Sequence, residues 1–340
     1  MALRIGINGF GRIGRLVLRA GLDRPDLEFV AVNDVTDAKT LAHLLKYDSV
    51  HGRVPAQVTI RDDGFAVNGR AIKVLSVLEP GQLPWQELGV DIVVEATGRF
   101  TSHEKCEPHL AAGAKRVIIT APAKGGKAVP SIVMGVNEQT LNPETDRIVS
   151  NASCTTNCVV PVAKVVHEHF RIRHAYMTTI HAYTSDQRIL DAPHKDLRRA
   201  RAAAVSMIPT STGAAKLIGV VFPELAGKVD GCAIRVPTAD VSLVDLTCEV
   251  EAATTVKEVN EAFAAAAQGP LGRYLEYCEE PVVSIDLCGN PHSAIFDAGL
   301  TAVVDSRQVK VFAWYDNEWG YSCRVIDLIE FLGAKLAHAH

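Results

Sequence analysis

The strongest chemical signal in the sequence is the stretch Ser150-Asn151-Ala152-Ser153-Cys154-Thr155-Thr156-Asn157-Cys158. It sits where a strand-like run, residues 147–150, meets a helix-like run, residues 159–170. A thiol at a helix N-terminus faces unpaired N–H groups and the positive end of the helix dipole, which favour a nucleophilic thiolate. Small neighbours leave room for a substrate. A thiolate that adds to a carbonyl also needs a partner to stabilise it and move protons. His181 closes the β-branched run Met177-Thr178-Thr179-Ile180, where a polar, charged stretch (residues 183–201) begins. That placement suits a general base or an ion-pair partner; the bland reading of any one of 12 histidines is a core or surface role. Cys158, one helical turn after Cys154, reads either as a redox partner or as a buried structural cysteine. His167-Glu168-His169 lacks zinc spacing and reads as solvated, so no metal is expected.

A second signal is Gly9-Phe10-Gly11-Arg12-Ile13-Gly14, after one apolar run and before an amphipathic one. Gly9 allows a tight turn, Gly11 lets backbone approach a pyrophosphate, and Gly14 lets the helix pack on the strand. The phosphates would rest on free N–H groups at the helix start. About 20 residues beyond Gly14, at the end of the next strand-like run, stands Asp34, the position of a carboxylate that binds adenosine ribose hydroxyls. Its charge would repel a 2′-phosphate, and Asn33-Asp34-Val35-Thr36 offers no arginine to hold one, so the dinucleotide is read as NAD.

The elements around these motifs divide near residue 150. Before it, apolar runs at residues 3–8, 28–33, 91–97, 116–120 and 131–136 alternate with helical patterns at 12–22 and 37–46, as in a parallel sheet covered on both faces. Residues 59–77, with turns at Asp62-Asp63-Gly64 and Asn68-Gly69, suggest an inserted antiparallel hairpin. After residue 150, helical patterns at 154–170, 210–221 and 254–268 accompany β-branched runs at 232–251, 294–304 and 308–315. They predict a mixed or antiparallel sheet with helices on one face. A final helix covers 318–335. The fold class is therefore α/β: a dinucleotide-binding domain with a parallel sheet, followed by an α+β domain with a mixed or antiparallel sheet.

Composition excludes several classes. At 340 residues with 48% hydrophobic and 22% charged residues, the chain has the balance of globular domains. A net charge of −4 gives no general attraction to nucleic acid or anionic membrane. No apolar run approaches the ~20 residues of a membrane span. The N-terminus lacks the zones of a secretory signal, and the eight cysteines are scattered without a C-x-x-C pair, so a cytoplasmic location is expected.

Gly6–Gly14 (GINGFGRIG), SNASCTTNC at 150–158, DQRILDAPHKDLRRAR at 186–201, PTSTGAAK at 209–216, RVPT at 235–238 and WYDNEWGYS at 314–322 together resemble the glyceraldehyde-3-phosphate dehydrogenase family. The resemblance implies a Rossmann NAD-binding domain at 1–153 completed by a C-terminal helix within 318–337, an α+β catalytic domain at 154–317, NAD as cofactor and a homotetramer. It also implies oxidation of a small phosphorylated aldehyde with inorganic phosphate, through a hemithioacetal and thioester on Cys154 with His181 moving the proton. It assigns cofactor contacts to Gly9, Gly11, Arg12, Ile13, Gly14, Asp34, Thr97, Thr120 and Asn317. Thr184 and Arg235 resemble the site for the substrate's own phosphate. Ser153, Thr155, Arg199, Thr212 and Gly213 resemble substrate or attacking-phosphate contacts. One departure is Ala192, where strictly NAD-dependent members usually carry leucine; Pro193 and Asp34 keep the NAD pattern. The alternatives are an erythrose-4-phosphate dehydrogenase and a non-enzymatic NAD- or RNA-binding protein on the same fold. Asp196 lies within the basic stretch at 195–201 and Asp191 just before it, and aromatics are absent, so no nucleic acid is expected.

Overall fold

The computed structural model describes residues 2–337. They form two compact units, one of residues 2–132, 139–152 and 322–337, the other of residues 133–138 and 153–321.

The first unit begins with β1 (Leu3–Asn8), α1 (Arg12–Gly21), β2 (Leu27–Asn33) and α2 (Ala38–Lys46), whose N-cap Asp37 accepts from Thr40 N. A short ladder joins β3 (Tyr47–Asp48) to β4 (Gly52–Arg53). Then come β5 (Val58–Arg61), β6 (Gly64–Val67), β7 (Arg70–Leu75), β8 (Ile92–Glu95), α3 (His103–Ala111), β9 (Arg116–Ile119) and β10 (Ile148–Ser150). The eight-stranded sheet has the order β10-β9-β8-β1-β2-β7-β6-β5. It is parallel from β10 to β7 and antiparallel beyond. The expected hairpin is thus a three-stranded meander that extends the main sheet. Asn68 and Gly69 turn it with φ of 49° and 81°, the positive values a tight hairpin turn needs. Residues 131–136 are no strand: only Ser131 bridges to Ser150, and turns follow. The run is apolar because Ile132, Val133 and Met134 are buried.

The second unit holds α4 (Cys154–Phe170), β11 (Ile172–Ala182), β12 (Ile208–Ser211), α5 (Ala214–Val221), β13 (Val229–Val236), β14 (Ser242–Val250), α6 (Val256–Gln268), β15 (Leu275–Cys278), β16 (Ala294–Asp297), β17 (Ala302–Val304) and β18 (Gln308–Tyr315). Its sheet runs β12-β13-β11-β14-β18-β16-β15, with β17 on β18. Only β11–β13 and β15–β16 are parallel. Burial alternates residue by residue along β14, and along β18 after its exposed first residue, so one face carries the core. The helix expected from residue 210 starts at Ala214, because Ile208–Ser211 pairs with β13. The run at 232–251 is two strands, broken after Val236. The run at 294–304 likewise divides into β16 and β17 around a short 3-10 turn.

The last helix, α7 (Trp319–Ala337), passes from the second unit into the first. Within the first unit it buries Val325, Ile326, Leu328, Ile329 and Leu332. Ile326 lies over Gly21, Leu3 meets Gly333, and Arg24 pairs with Glu330.

Two glycines fix the turn after β1. Gly9 has φ +92°, and a Cβ there would lie 2.6 Å from Thr97 N. A Cβ on Gly14 would lie 2.2 Å from Gly9 O, so α1 crosses its own entry turn with no space for a methyl group. Gly14→Ala should therefore cost about 1–3 kcal/mol of overpacking strain. Calorimetric unfolding checks this; an unchanged melting temperature would show that the close approach is not constraining.

Candidate active site

Cys154 is the first residue of α4. Ser153 caps the helix, its Oγ accepting from Thr156 N at 3.0 Å, and so turns the chain sharply enough to present the thiol. His181 is the penultimate residue of β11, and its Nε2 lies 3.5 Å from Cys154 Sγ. The parallel register of β11 and β13 sets His181 beside Arg235. Arg235 Nη1 is 2.6 Å from His181 Nδ1 and donates to Ala182 O at 2.9 Å; Ala182 O is itself 2.7 Å from Nδ1. Arg235 Nε is buried without a partner.

Sequence reasoning gave no role to the residues that brace this pair. Tyr315, at the end of β18, is fully buried, and its hydroxyl bonds Thr155 Oγ1 and Thr179 Oγ1, both at 2.8 Å. It ties the start of α4 to β11, and its ring meets His181 edge-on at 5.9 Å. Ser242 Oγ accepts from Ala182 N at 3.1 Å and donates to Asn317 Oδ1 at 2.7 Å. A chain of hydrogen bonds therefore holds Asn317 to the end of the histidine strand. Tyr315 lies inside a motif the sequence singles out, yet its partners are remote in sequence and no local spacing reveals them.

Electrostatics corrects one expectation. Desolvation pushes the Cys154 thiol up, against the charge of Arg235 and the N–H and hydroxyl of Thr155. The helix end alone does not make the resting group a thiolate. His181 is lowered to about 3, first by burial and then by the charge of Arg235, with Ala182 O opposing and Arg199 adding to the fall. The imidazole is neutral. Cys158 is fully buried, with Sγ turned to Ala313 O, and its thiol is pushed well up by desolvation. His167 is not solvated: it is buried, with Nε2 3.1 Å from Glu224 and Nδ1 accepting from Ile172 N. All eight cysteines are free thiols.

The other expected phosphate contacts are placed less directly. Residues 183–201 form an irregular segment, as their lack of periodicity suggests. Thr184 sits in a turn where its N–H donates to Gln187 Oε1 at 3.3 Å. Gln187 is buried with its Nε2 unpartnered. Arg199 is held by Asp186 and by Thr210 Oγ1, yet is near enough for its charge to act on His181 and Arg235. Thr212 and Gly213 lie beyond the Ser211–Cys232 end of the β12–β13 ladder, at the entry to α5, while Ile208 is level with Arg235.

The dinucleotide motif lies in the first unit. A cavity of about 270 Å³ is lined by Asn8, Gly9, Gly11, Asp34, Thr97 and Arg99 among others. Asp34 Oδ2 accepts from Phe10 N and Oδ1 from Thr36 N, which aims the carboxylate at the cavity edge. A Cβ on Gly11 would meet nothing within 4 Å; the open space beside a helix start is what a pyrophosphate needs. The residues therefore fit a dinucleotide. Ile13 follows in the first turn of α1, partly buried. Arg12 is turned to Asp48 by a two-pronged ion pair. Thr120 Oγ1 donates to Glu95 O. Beneath the cavity Asn33, Asn8 and Glu95 stand level on three adjacent strands and are hydrogen-bonded in series, with His109 and Trp85 behind Glu95. Sequence reading missed this buried polar row.

Two family profiles match the chain. Residues 3–103 match "Glyceraldehyde 3-phosphate dehydrogenase, NAD binding domain", and residues 153–317 match "Glyceraldehyde 3-phosphate dehydrogenase, C-terminal domain". A glyceraldehyde-3-phosphate dehydrogenase of Geobacillus stearothermophilus is 58% identical over 335 residues, covering 98% of this chain and 99% of the relative. Similar are glyceraldehyde-3-phosphate dehydrogenase 1 of Bacillus cereus, 56% identical over 98% of this chain and 99% of its own, and glyceraldehyde-3-phosphate dehydrogenase 2 of Streptomyces arenae, 56% identical over 99% and 100%.

The depressed His181 has a pH signature. Folded, it stays neutral down to about 3, while the unfolded chain takes the proton near 6.5. Its contribution to stability is complete above pH 6.5 and is lost as pH falls toward 3, at up to about 1.4 kcal/mol per pH unit. Denaturant unfolding of wild type and His181→Asn should give free-energy curves that converge on acidification with that slope. Parallel curves would show an ordinary histidine.

Proposed function

The chain belongs to the glyceraldehyde 3-phosphate dehydrogenase family, and from that premise we propose that it oxidises D-glyceraldehyde 3-phosphate with NAD and inorganic phosphate to 1,3-bisphosphoglycerate. The observation that carries the reading is the 3.5 Å approach of Cys154 Sγ to His181 Nε2 at the start of α4. A nucleophile within reach of a neutral imidazole is the arrangement that covalent aldehyde oxidation requires. The erythrose-phosphate and non-enzymatic readings are not favoured, since the three relatives carry the same enzymatic name over nearly their whole length.

In this mechanism His181 takes a proton as the Cys154 sulfur adds to the aldehyde carbon, giving a hemithioacetal. Bound NAD supplies the hydride acceptor. The acyl group is left as a thioester on Cys154, and inorganic phosphate displaces it as an acyl phosphate. Thr184 and Arg235 hold the substrate's phosphate; Arg235 contributes a buried, unpartnered Nε suited to a phosphate oxygen. Ser153, Thr155, Arg199, Thr212 and Gly213 serve the substrate and the attacking phosphate. Gly9, Gly11, Arg12, Ile13, Gly14, Asp34, Thr97 and Thr120 hold the cofactor, and Asn317 orients its carboxamide. We divide the work between a cofactor half, 1–153 with 318–337, and a catalytic half, 154–317.

The working form is a homotetramer in the cytoplasm. The support is one segment that exposes Ile189, Leu190, Leu197, Val205 and Met207 at 75–87%, a patch of the kind that marks subunit contact. Among the described residues no helix is long and apolar enough to cross a membrane.

NADH formation with glyceraldehyde 3-phosphate and with erythrose 4-phosphate tests the substrate. Cys154→Ser should abolish turnover while leaving NAD binding intact, because a hydroxyl is barely ionised; near wild-type turnover would refute the covalent route. His181→Asn should lower kcat by roughly 10²–10⁴. Asp34 should make kcat/KM favour NAD over NADP by at least about tenfold, or ~1.4 kcal/mol, and Asp34→Gly should narrow the gap. Equal efficiencies in the unmodified enzyme would show that the loop at Ala192 outweighs the carboxylate.

A further inference from the structure

The buried polar row under the dinucleotide cavity holds a charge that the mechanism does not use. The direction of its hydrogen bonds is fixed at both ends by groups that can only donate. At one end Val77 N–H donates to Asn33 Oδ1 at 2.8 Å, which turns Asn33 Nδ2 toward Asn8. Asn8 accepts there with its Oδ1, so its own Nδ2 faces Glu95 Oε2 at 2.6 Å. At the other end the indole N–H of Trp85, a donor only, lies 3.0 Å from His109 Nδ1. That nitrogen must accept, and the ring's proton sits on Nε2, 3.1 Å from Glu95 Oε2. A second ring proton has no place, since it would confront the indole N–H.

Glu95 therefore meets donors on both oxygens. Thr97 N–H donates to Oε1 at 2.9 Å. The Thr97 hydroxyl touches the same oxygen and already accepts from Arg99 N at 3.0 Å, so its hydrogen has no other acceptor within the protein. A carboxyl group that receives several such bonds is held ionised. No cation balances it. Its side chain is 1% exposed, and among the described residues the only base within ion-pairing distance is His109, which the indole keeps neutral. Cys106, packed nearby, keeps its proton: burial first and then the charge of Glu95 push that thiol up to about 12.

An ion buried without a counter-ion is costly, and this one lies under a cavity suited to an anionic pyrophosphate. Asn8 and Thr97, which bond it, line that cavity. For the pyrophosphate alone a neutral side chain would serve better. The dinucleotide carries one further charge, and that one changes in the reaction: the nicotinamide ring is cationic when oxidised and neutral when reduced. A fixed anion attracts the first form and not the second, and surroundings of low dielectric extend its reach.

On the reading that this cavity holds NAD, we propose that Glu95 is a buried anion that biases the site toward the oxidised cofactor. Glu95 does not itself line the cavity; it acts through its charge. Once hydride has been transferred the attraction is gone, and the reduced cofactor is held less tightly than it would be if binding were blind to charge. The backbone of the same residue serves separately, with Glu95 O accepting from the N–H and the hydroxyl of Thr120 at 3.0 and 3.1 Å. A side-chain substitution leaves those two bonds in place.

The test is calorimetric titration of the cofactor-free full-length enzyme with NAD and with NADH. Glu95→Gln should shift the ratio of the two dissociation constants by at least about threefold in favour of NADH. Equal loss of both affinities would mark Glu95 as a mere support for Thr97 and overturn the proposal. Trp85→Phe gives a second arm that does not depend on the glutamine variant folding. It keeps the carboxylate and frees His109 Nδ1, so the ring can take a second proton and cancel the charge. Relative to wild type, its ratio should move toward NADH as pH falls from about 8 to about 6, the range in which a histidine charges; a ratio that tracks wild type across that range overturns the proposal. In the wild-type enzyme, ¹⁵N NMR of His109, assigned through the Trp85 indole proton, should show one proton, on Nε2, throughout the same range. A doubly protonated ring would supply the missing cation and sink the idea without any variant. Wild type that binds neither cofactor form refutes the dinucleotide reading itself, whereas binding with an unmoved ratio refutes only the role of Glu95.

Discussion

A 3.5 Å approach between a sulfur on the first residue of a helix and a nitrogen near the end of a strand governs the design of the second unit. Neither backbone element can hold such a distance by itself. The start of α4 is set by the Ser153 cap, and the end of β11 by its ladders to β13 and β14. Tyr315 then bridges the two by bonding Thr155 and Thr179 with one hydroxyl. Because Tyr315 is fully buried, water offers no competing partner and the bridge is kept.

Holding that geometry requires backbone that would not form elsewhere. Val241 has φ +65°, an outlier for a β-branched side chain, and such a residue costs of order 1–3 kcal/mol. It stands immediately before Ser242, whose hydroxyl joins Ala182 to Asn317. Ala152, two residues before the nucleophile, has φ +54°. Both residues are buried, so the surrounding core enforces the conformation. Strain has collected on the two segments that lead into the site.

What could be read in advance follows a physical division. A helix-like apolar pattern locates α4, and a β-branched run locates the last part of β11, because each leaves its mark along one segment. Glycine spacing located the dinucleotide turn, since a missing side chain is a local fact. Contacts across strands leave no such trace. Arg235 is legible only through the family resemblance, nothing local marks Tyr315, and His167 reads as solvated because its partner Glu224 lies far along the chain. The thiol differs for another reason: the dipole of a helix can be inferred from sequence, whereas the desolvation that opposes it depends on everything packed around the sulfur. The apolar run at 131–136 shows the limit of pattern itself, for it signals burial and not a ladder.

The path of α7 has a consequence for how the protein is made. A ribosome releases a chain from its N-terminus, and a domain commonly folds as it emerges. Here the first unit cannot do so. Leu3 packs on Gly333 and Gly21 lies beneath Ile326, both in residues 322–337, which follow the whole second unit in the chain. The nucleotide-binding half must wait, with part of its apolar surface uncovered, while the whole second unit is translated. Completion of the first unit is thus a late event, and a chain truncated before α7 would leave it open however well its earlier strands had paired.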